Sequence, residues 1–144
     1  MQLTKFTDYA LRILLHIAQP REQLYTIAEL AQYLQISQNH LMKIVHFMAK
    51  QQWLTTMRGK NGGLTIHPSV LDLPLGEIVR ILQDDPPVIN CSEPPCILRP
   101  ACGLKPILDQ ALQQFYNSLN QYTLSQILQQ PKLKANLIPT TFID

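Results

Sequence analysis

The chain has 144 residues, 46% of them hydrophobic and 15% charged, with a formal net charge of +2. That is enough chain for one ordinary hydrophobic core, and too apolar a composition for a disordered protein. No apolar run approaches the ~20 residues needed to cross a bilayer. The start MQLTKFTDYA lacks the pattern of a signal peptide, so a cytoplasmic protein with no membrane partner is expected.

Phe6 to Gln19 reads as the first helix, because Phe6, Ala10, Ile13, Leu14 and Ile17 recur at three- and four-residue steps. Thr7 is placed to cap it, Asp8 then falls in the first turn where the helix dipole favours a carboxylate, and Pro20 ends it. Thr26-Ile27-Ala28-Glu29 is a capping box opening a short helix over Ile27 to Leu34. Gln35-Ile36 makes a turn, and Ser37 caps a second helix over Gln38 to Gln51, with Leu41, Ile44, Val45 and Met48 as its apolar stripe. Two helices joined by so short a turn form a helix-turn-helix. Ser37, Gln38, Asn39, His40 and Lys43 stand at the N-terminal end of the second helix, the end that reads base edges and phosphates in such motifs. His46, further along, is expected to be partly buried, and Trp53 to be core.

Trp53 to Arg58 and Leu64 to His67 read as two strands around Gly59-Lys60-Asn61-Gly62-Gly63, with Asn-Gly expected to supply the positive φ angles of the hairpin. A hairpin after a helix-turn-helix is a wing, and Arg58, Lys60 and Asn61 at its tip are candidate DNA contacts. Charge agrees with this placement. Residues 30–71 contain Lys43, Lys50, Arg58 and Lys60 and no acidic residue, whereas 81–144 hold four basic and five acidic residues. A positive field confined to one half of a chain is the footprint of nucleic-acid binding.

Pro74 opens a further helix to about Leu82, stopped by Asp84-Asp85-Pro86-Pro87. The three cysteines follow as C-x4-C-x5-C at Cys91, Cys96 and Cys102. An odd number of cysteines clustered in a cytosolic chain points to metal or redox chemistry rather than disulfides. Three thiolates are one short of the four usual for a cluster or a structural zinc. All four histidines (His16, His40, His46, His67) precede the loop, so a fourth ligand would be Glu93, Asp109 or a carboxylate brought from elsewhere. A thiol enzyme would want a base near its nucleophile, and no histidine follows His67. Pro106 then suits the first turn of a helix over Ile107 to Gln121, ~22 Å long at 1.5 Å per residue. Its wide stripe of Leu108, Ala111, Leu112, Phe115 and Leu119 favours a dimer seam, in keeping with palindromic operators read by two-fold symmetric proteins. Thr123-Leu124-Ser125-Gln126 is a second capping box.

The predicted fold is therefore mainly α. A winged helix-turn-helix head spans 1–83, a cysteine loop 84–104, a dimerisation helix with a short following helix 105–130, and a tail 131–144. The segments MQLTKFTDYALR, QNHLMKIV and MRGKNGGL, the cysteine spacing with Pro100-Ala101 before its last member, and QYTL together resemble the winged-helix iron–sulfur regulators over residues 1–128. Within that family the resemblance is strongest to the nitric-oxide-sensing repressors. It implies a homodimer on double-stranded DNA, with an iron–sulfur cluster of the 4Fe-4S type on Cys91, Cys96 and Cys102 of each subunit, 2Fe-2S forms being known among relatives. It also implies Asp8 of the partner subunit as the fourth ligand, and release of operators of nitric-oxide-detoxification genes when nitric oxide reacts with the cluster. Another branch of the family uses a histidine three residues after the last cysteine; here that residue is Lys105. The alternative function is a regulator of the same fold that senses redox state or iron–sulfur supply.

Overall fold

A computed structural model describes residues 2–84, 87–99 and 101–131. The tail beyond Pro131, Asp85 and Pro86 of the expected helix stop, and Pro100 of the cysteine loop lie outside the described residues. The element order is α1 (Lys5–Ile17), α2 (Ile27–Leu34), α3 (Gln38–Lys50), β1 (Leu54–Met57), β2 (Gly63–Ile66), a 3-10 turn (Pro68–Asp72), α4 (Leu75–Gln83), α5 (Leu104–Leu119) and α6 (Leu124–Leu128).

The helix starts follow local chemistry. Thr26 accepts the Glu29 N–H while the Glu29 carboxylate accepts the Thr26 N–H, and Thr123 and Gln126 repeat the arrangement at α6. Such a cap is worth ~1 kcal/mol. At α1 the capping residue is Thr4 rather than Thr7, whose N–H donates to Thr4 Oγ1 at 3.2 Å. Two threonines three residues apart can each cap, and Thr4 prevails because the hydroxyl of Thr7 is used in the interior.

Ala10, Ile13 and Leu14 of α1, Leu30 of α2, and Leu41, Ile44 and Met48 of α3 meet in one core, completed by Trp53, Leu54, Leu64, Val70, Ile78 and Leu82. Burial of each large aliphatic side chain contributes ~1.5–3 kcal/mol. The wing pairs Leu54 with Ile66 and Met57 with Gly63 in antiparallel register, and Tyr25 bridges to Leu64 as a short third rung. At the hairpin tip the positive φ belongs to Gly59, at 111°, and not to the Asn61-Gly62 pair. Gly62 instead makes space: a Cβ there would lie 2.4 Å from the Met57 carbonyl oxygen.

The C-terminal part folds back on this head. Leu124 is in the core, Ser125 Oγ donates to Asp72 at 2.9 Å, and Thr123 bridges to Pro74. Pro74 offers no side-chain cap to α4, whose exposed N–H groups are satisfied from the end of α5. Leu75 N–H donates to the Tyr122 carbonyl at 2.9 Å, and Glu77 N–H to Asn120 Oδ1 at 3.1 Å. Tyr116 is the buried residue of α5, with the Arg80 guanidinium 4.4 Å from its ring centroid.

Candidate metal centre and nucleic-acid interface

Ser37 accepts the His40 N–H at 3.2 Å and so fixes the first turn of α3. Ser37, Gln38, Asn39 and Lys43 are exposed, and no acidic residue stands in that turn. His40 is half-buried, its ring edge-on to Tyr9 of α1 at 5.6 Å. His46 is exposed rather than partly buried, and Trp53 is buried as expected. Met42 was not singled out by the sequence, yet it is 48% exposed, one turn along from Gln38. An apolar side chain on that face is suited to a thymine methyl group. The signal was its position: residues 38, 42 and 46 share one strip of helix surface, off the apolar stripe. In the wing, Arg58, Lys60 and Asn61 are all exposed at the tip.

The cysteine loop is built from successive turns. Asn90 Oδ1 accepts the N–H groups of Ser92 and Glu93, the two residues that follow Cys91, Cys96 N–H donates to the Cys91 carbonyl at 3.2 Å, and Arg99 N–H to the Cys96 carbonyl at 3.2 Å. Cys91, Cys96 and Cys102 are free thiols, each half-buried. Beside them Ile97 is 92% and Leu98 64% exposed. Lys105 pairs with Asp109 one turn on, which engages one of the two local carboxylates considered as a fourth ligand.

Asp8 lies in the first turn of α1, far along the chain from the cysteines. Both its oxygens are held by Arg12, Nε to Oδ1 at 2.9 Å and Nη2 to Oδ2 at 2.8 Å. The pair is substantially exposed, and the Asp8 hydrogen bonds hold the Arg12 guanidinium above its ordinary pKa. Exposed pairs of this kind contribute little to stability, so Asp8 is free to exchange partners at small cost.

Residues 3–130 match the sequence profile of Rrf2, described as iron-dependent transcriptional regulator. The chain belongs to the Rrf2 family. This Rrf2 regulator is 37% identical over 142 residues to the HTH-type transcriptional regulator NsrR of Shouchella clausii, covering 95% of each chain. It is 38% identical over 132 residues to NsrR of Bacillus licheniformis, covering 89% of this chain and 92% of the relative. Its fold is similar to that of T. potens IscR, with a TM-score of 0.68 at 17% identity over 89% of this chain and 86% of that one. The oxidised form of Staphylococcus aureus CymR gives 0.70 at 18% identity over 90% of this chain and 98% of that one. An Rrf2 regulator acts on DNA, and the mainly helical winged fold is that of its structural neighbours. Among the described residues no helix is long and apolar enough to cross a membrane.

The donor set suits the iron in the family's description. Three thiols on one loop are the ligand type of iron–sulfur centres, and half-exposure leaves them open to loading. Among the described residues no three His, Cys, Asp or Glu side chains are yet gathered into a ligand set. Thiolates repel one another until a cation draws them together, so a preformed site is the exception.

Proposed function

We propose that this protein is a homodimeric transcriptional repressor that senses nitric oxide through an iron–sulfur cluster of the 4Fe-4S type. Cys91, Cys96 and Cys102 would hold the cluster together with Asp8 of the partner subunit. The observation that carries this reading is the set of three free, half-exposed thiols on one turn-rich loop, in a chain whose relatives are named NsrR. Lys105 stands where another branch of the family has a histidine, which supports a carboxylate rather than a histidine as the fourth ligand.

When bound, the cluster would supply iron reactive toward nitric oxide, and Asp8, a harder and more labile ligand than the three thiolates, would be the ligand most easily exchanged. The protein does the rest. Asp8 exchanges Arg12 for the partner's metal site, which ties the sensory loop of one subunit to the first helix of the other. Losing the site returns Asp8 to Arg12 and frees the two heads. Exposed Ile97 and Leu98 on the loop and Leu104 and Ile107 on α5 continue the stripe of Leu108, Leu112, Phe115 and Leu119, all covered when a second copy packs along α5. On DNA, Ser37, Gln38, Asn39 and His40 read bases, while Lys43, Arg58, Lys60 and Asn61 contact the backbone.

Anaerobically purified protein is expected to be coloured, to contain iron and sulfide, and to lose operator binding as nitric oxide is titrated in. A colourless, iron-free preparation that binds the operator equally well with and without nitric oxide would sink the reading. A response to oxidants alone would point to redox or cluster-supply sensing. Lys60→Ala is expected to weaken binding to every DNA sequence and to flatten the slope of log affinity against log salt by about one unit. A loss confined to particular sequences would show that the wing reads bases instead.

A further inference from the structure

The last residue of α4 before the cysteine loop is Gln83, and its side-chain oxygen reaches across to the start of α1. Oε1 accepts the backbone N–H of Thr4 at 3.0 Å and the hydroxyl of Thr7 at 2.8 Å. Thr7 is 0% exposed and is the one buried polar residue among those described. The network has a single consistent direction. Thr7 spends its proton on Gln83, so the 2.9 Å contact between the two threonine hydroxyls must be donated by Thr4. The Gln83 amide cannot be reversed, because its NH2 group would then face the Thr4 N–H, donor against donor.

The turn that Gln83 grips is the turn that carries Asp8, whose N–H donates to the Thr4 carbonyl at 3.0 Å. The same turn also grips the DNA-reading helix. Phe6 packs edge-on against Phe47 of α3 at 5.3 Å, and Tyr9 against His40 at 5.6 Å. On its other side Gln83 is followed by Asp84 in a left-handed conformation at φ 58°, where the chain leaves α4 for the cysteines.

We infer that Gln83 is a positioning residue through which the cysteine loop of a subunit sets that subunit's own first α1 turn, and with it the recognition helix. The inference rests on the proposed sensing function. It adds a route within one subunit to the tie that Asp8 makes between subunits. Movement of the loop displaces the end of α4, Gln83 carries the displacement to Thr4 and Thr7, and Phe6 and Tyr9 deliver it to Phe47 and His40.

The test uses full-length Gln83→Met and Gln83→Glu, with iron content and operator affinity measured for loaded and metal-stripped protein. Gln83→Met keeps the length of the side chain but accepts no strong hydrogen bond. Gln83→Glu keeps the acceptor and adds a charge that the N-terminus of α1 favours. Coupling between a regulatory site and DNA is commonly ~5–150-fold in affinity. Gln83→Met is expected to retain iron and sulfide yet bring the loaded-to-stripped ratio close to one, and Gln83→Glu to restore it. In the metal-free protein, amide hydrogen exchange across residues 4–9 is expected to quicken in Gln83→Met and not in Gln83→Glu. A wild-type ratio that survives in Gln83→Met overturns the relay alone. A wild-type ratio of one overturns the sensing reading and the relay with it. Should Gln83→Met fail to fold, the near-isosteric Thr7→Val removes the buried donor, and an unchanged ratio there overturns the relay.

Discussion

Cys96→Ser is expected to give a protein that folds, retains neither iron nor sulfide, and binds operator DNA only as weakly as the nitric-oxide-treated wild type. The structural cost is small, because Cys96 is half-buried and the loop's hydrogen bond at this residue runs from its backbone N–H to the Cys91 carbonyl, which serine preserves. The chemical cost is total. A serine hydroxyl does not ionise near neutral pH as a thiol does, so two thiolates and a distant carboxylate would remain. The ratio of operator affinities before and after nitric oxide should fall from the ~5–150-fold typical of allosteric coupling to one. Asp8→Ala should behave differently. It removes one exposed ion pair with Arg12 and leaves all three thiols, so colour should appear but bleach faster in air and with nitric oxide. Iron and sulfide analysis with visible absorption distinguishes the two variants. Equal loss in both would make Asp8 as indispensable as a cysteine, and an unchanged spectrum in Asp8→Ala would return it to an ordinary acid at a helix start.

What the sequence made legible was what neighbouring residues decide among themselves. Both capping boxes, the Ser37 cap, the bounds of α2 and the buried stripe of α3 depend on residues within a turn of one another, and all are found where the pattern puts them. The misplacements share the opposite cause. Thr7 has the right type and position to cap α1, but its hydroxyl answers to Gln83, 76 residues away, so Thr4 takes the cap. Asn61-Gly62 is a good turn pair, yet the chain reverses through Gly59 while Gly62 yields space to the Met57 carbonyl. The 3-10 turn over Pro68–Asp72 is too short to show a period. At the candidate site the cysteines and the basic wing were visible as composition and spacing. Exposed Met42 and the Asp8–Arg12 pair each lie at four-residue spacing on a single helix and were legible but passed over, whereas the Tyr9–His40 contact was not legible, because it depends on which helix faces meet.

Gly76→Ala is expected to be strongly destabilising although alanine is the better helix former. In an open helix the exchange would gain ~0.5–1 kcal/mol. Here a Cβ would lie 2.3 Å from the Tyr116 carbonyl oxygen and 2.4 Å from Asn120 Oδ1. The first of these is backbone in the last turn of α5, already bonded to the Asn120 N–H, and cannot swing aside, so the two helices must part. Parting them strains the bonds from Leu75 to Tyr122 and from Glu77 to Asn120, which satisfy the start of α4 in place of a cap. Overpacking costs ~1–3 kcal/mol and each weakened hydrogen bond ~0.5–1.5 kcal/mol. The steric and polar losses together exceed the propensity gain, and a net loss of ~2–4 kcal/mol in urea unfolding follows from those magnitudes. Gly103→Ala is the control, since a Cβ at the start of α5 meets nothing within 4 Å and the backbone there has an ordinary φ of −79°. Its stability should stay within ~1 kcal/mol of wild type, as alanine is only a poorer N-cap than glycine. Because α5 carries the proposed dimer seam, Gly76→Ala should also weaken self-association in sedimentation, whereas Gly103→Ala should not. Equal stability of the two variants would mean that α4 and α5 are not held this closely, and that the head and the seam are coupled by some other contact.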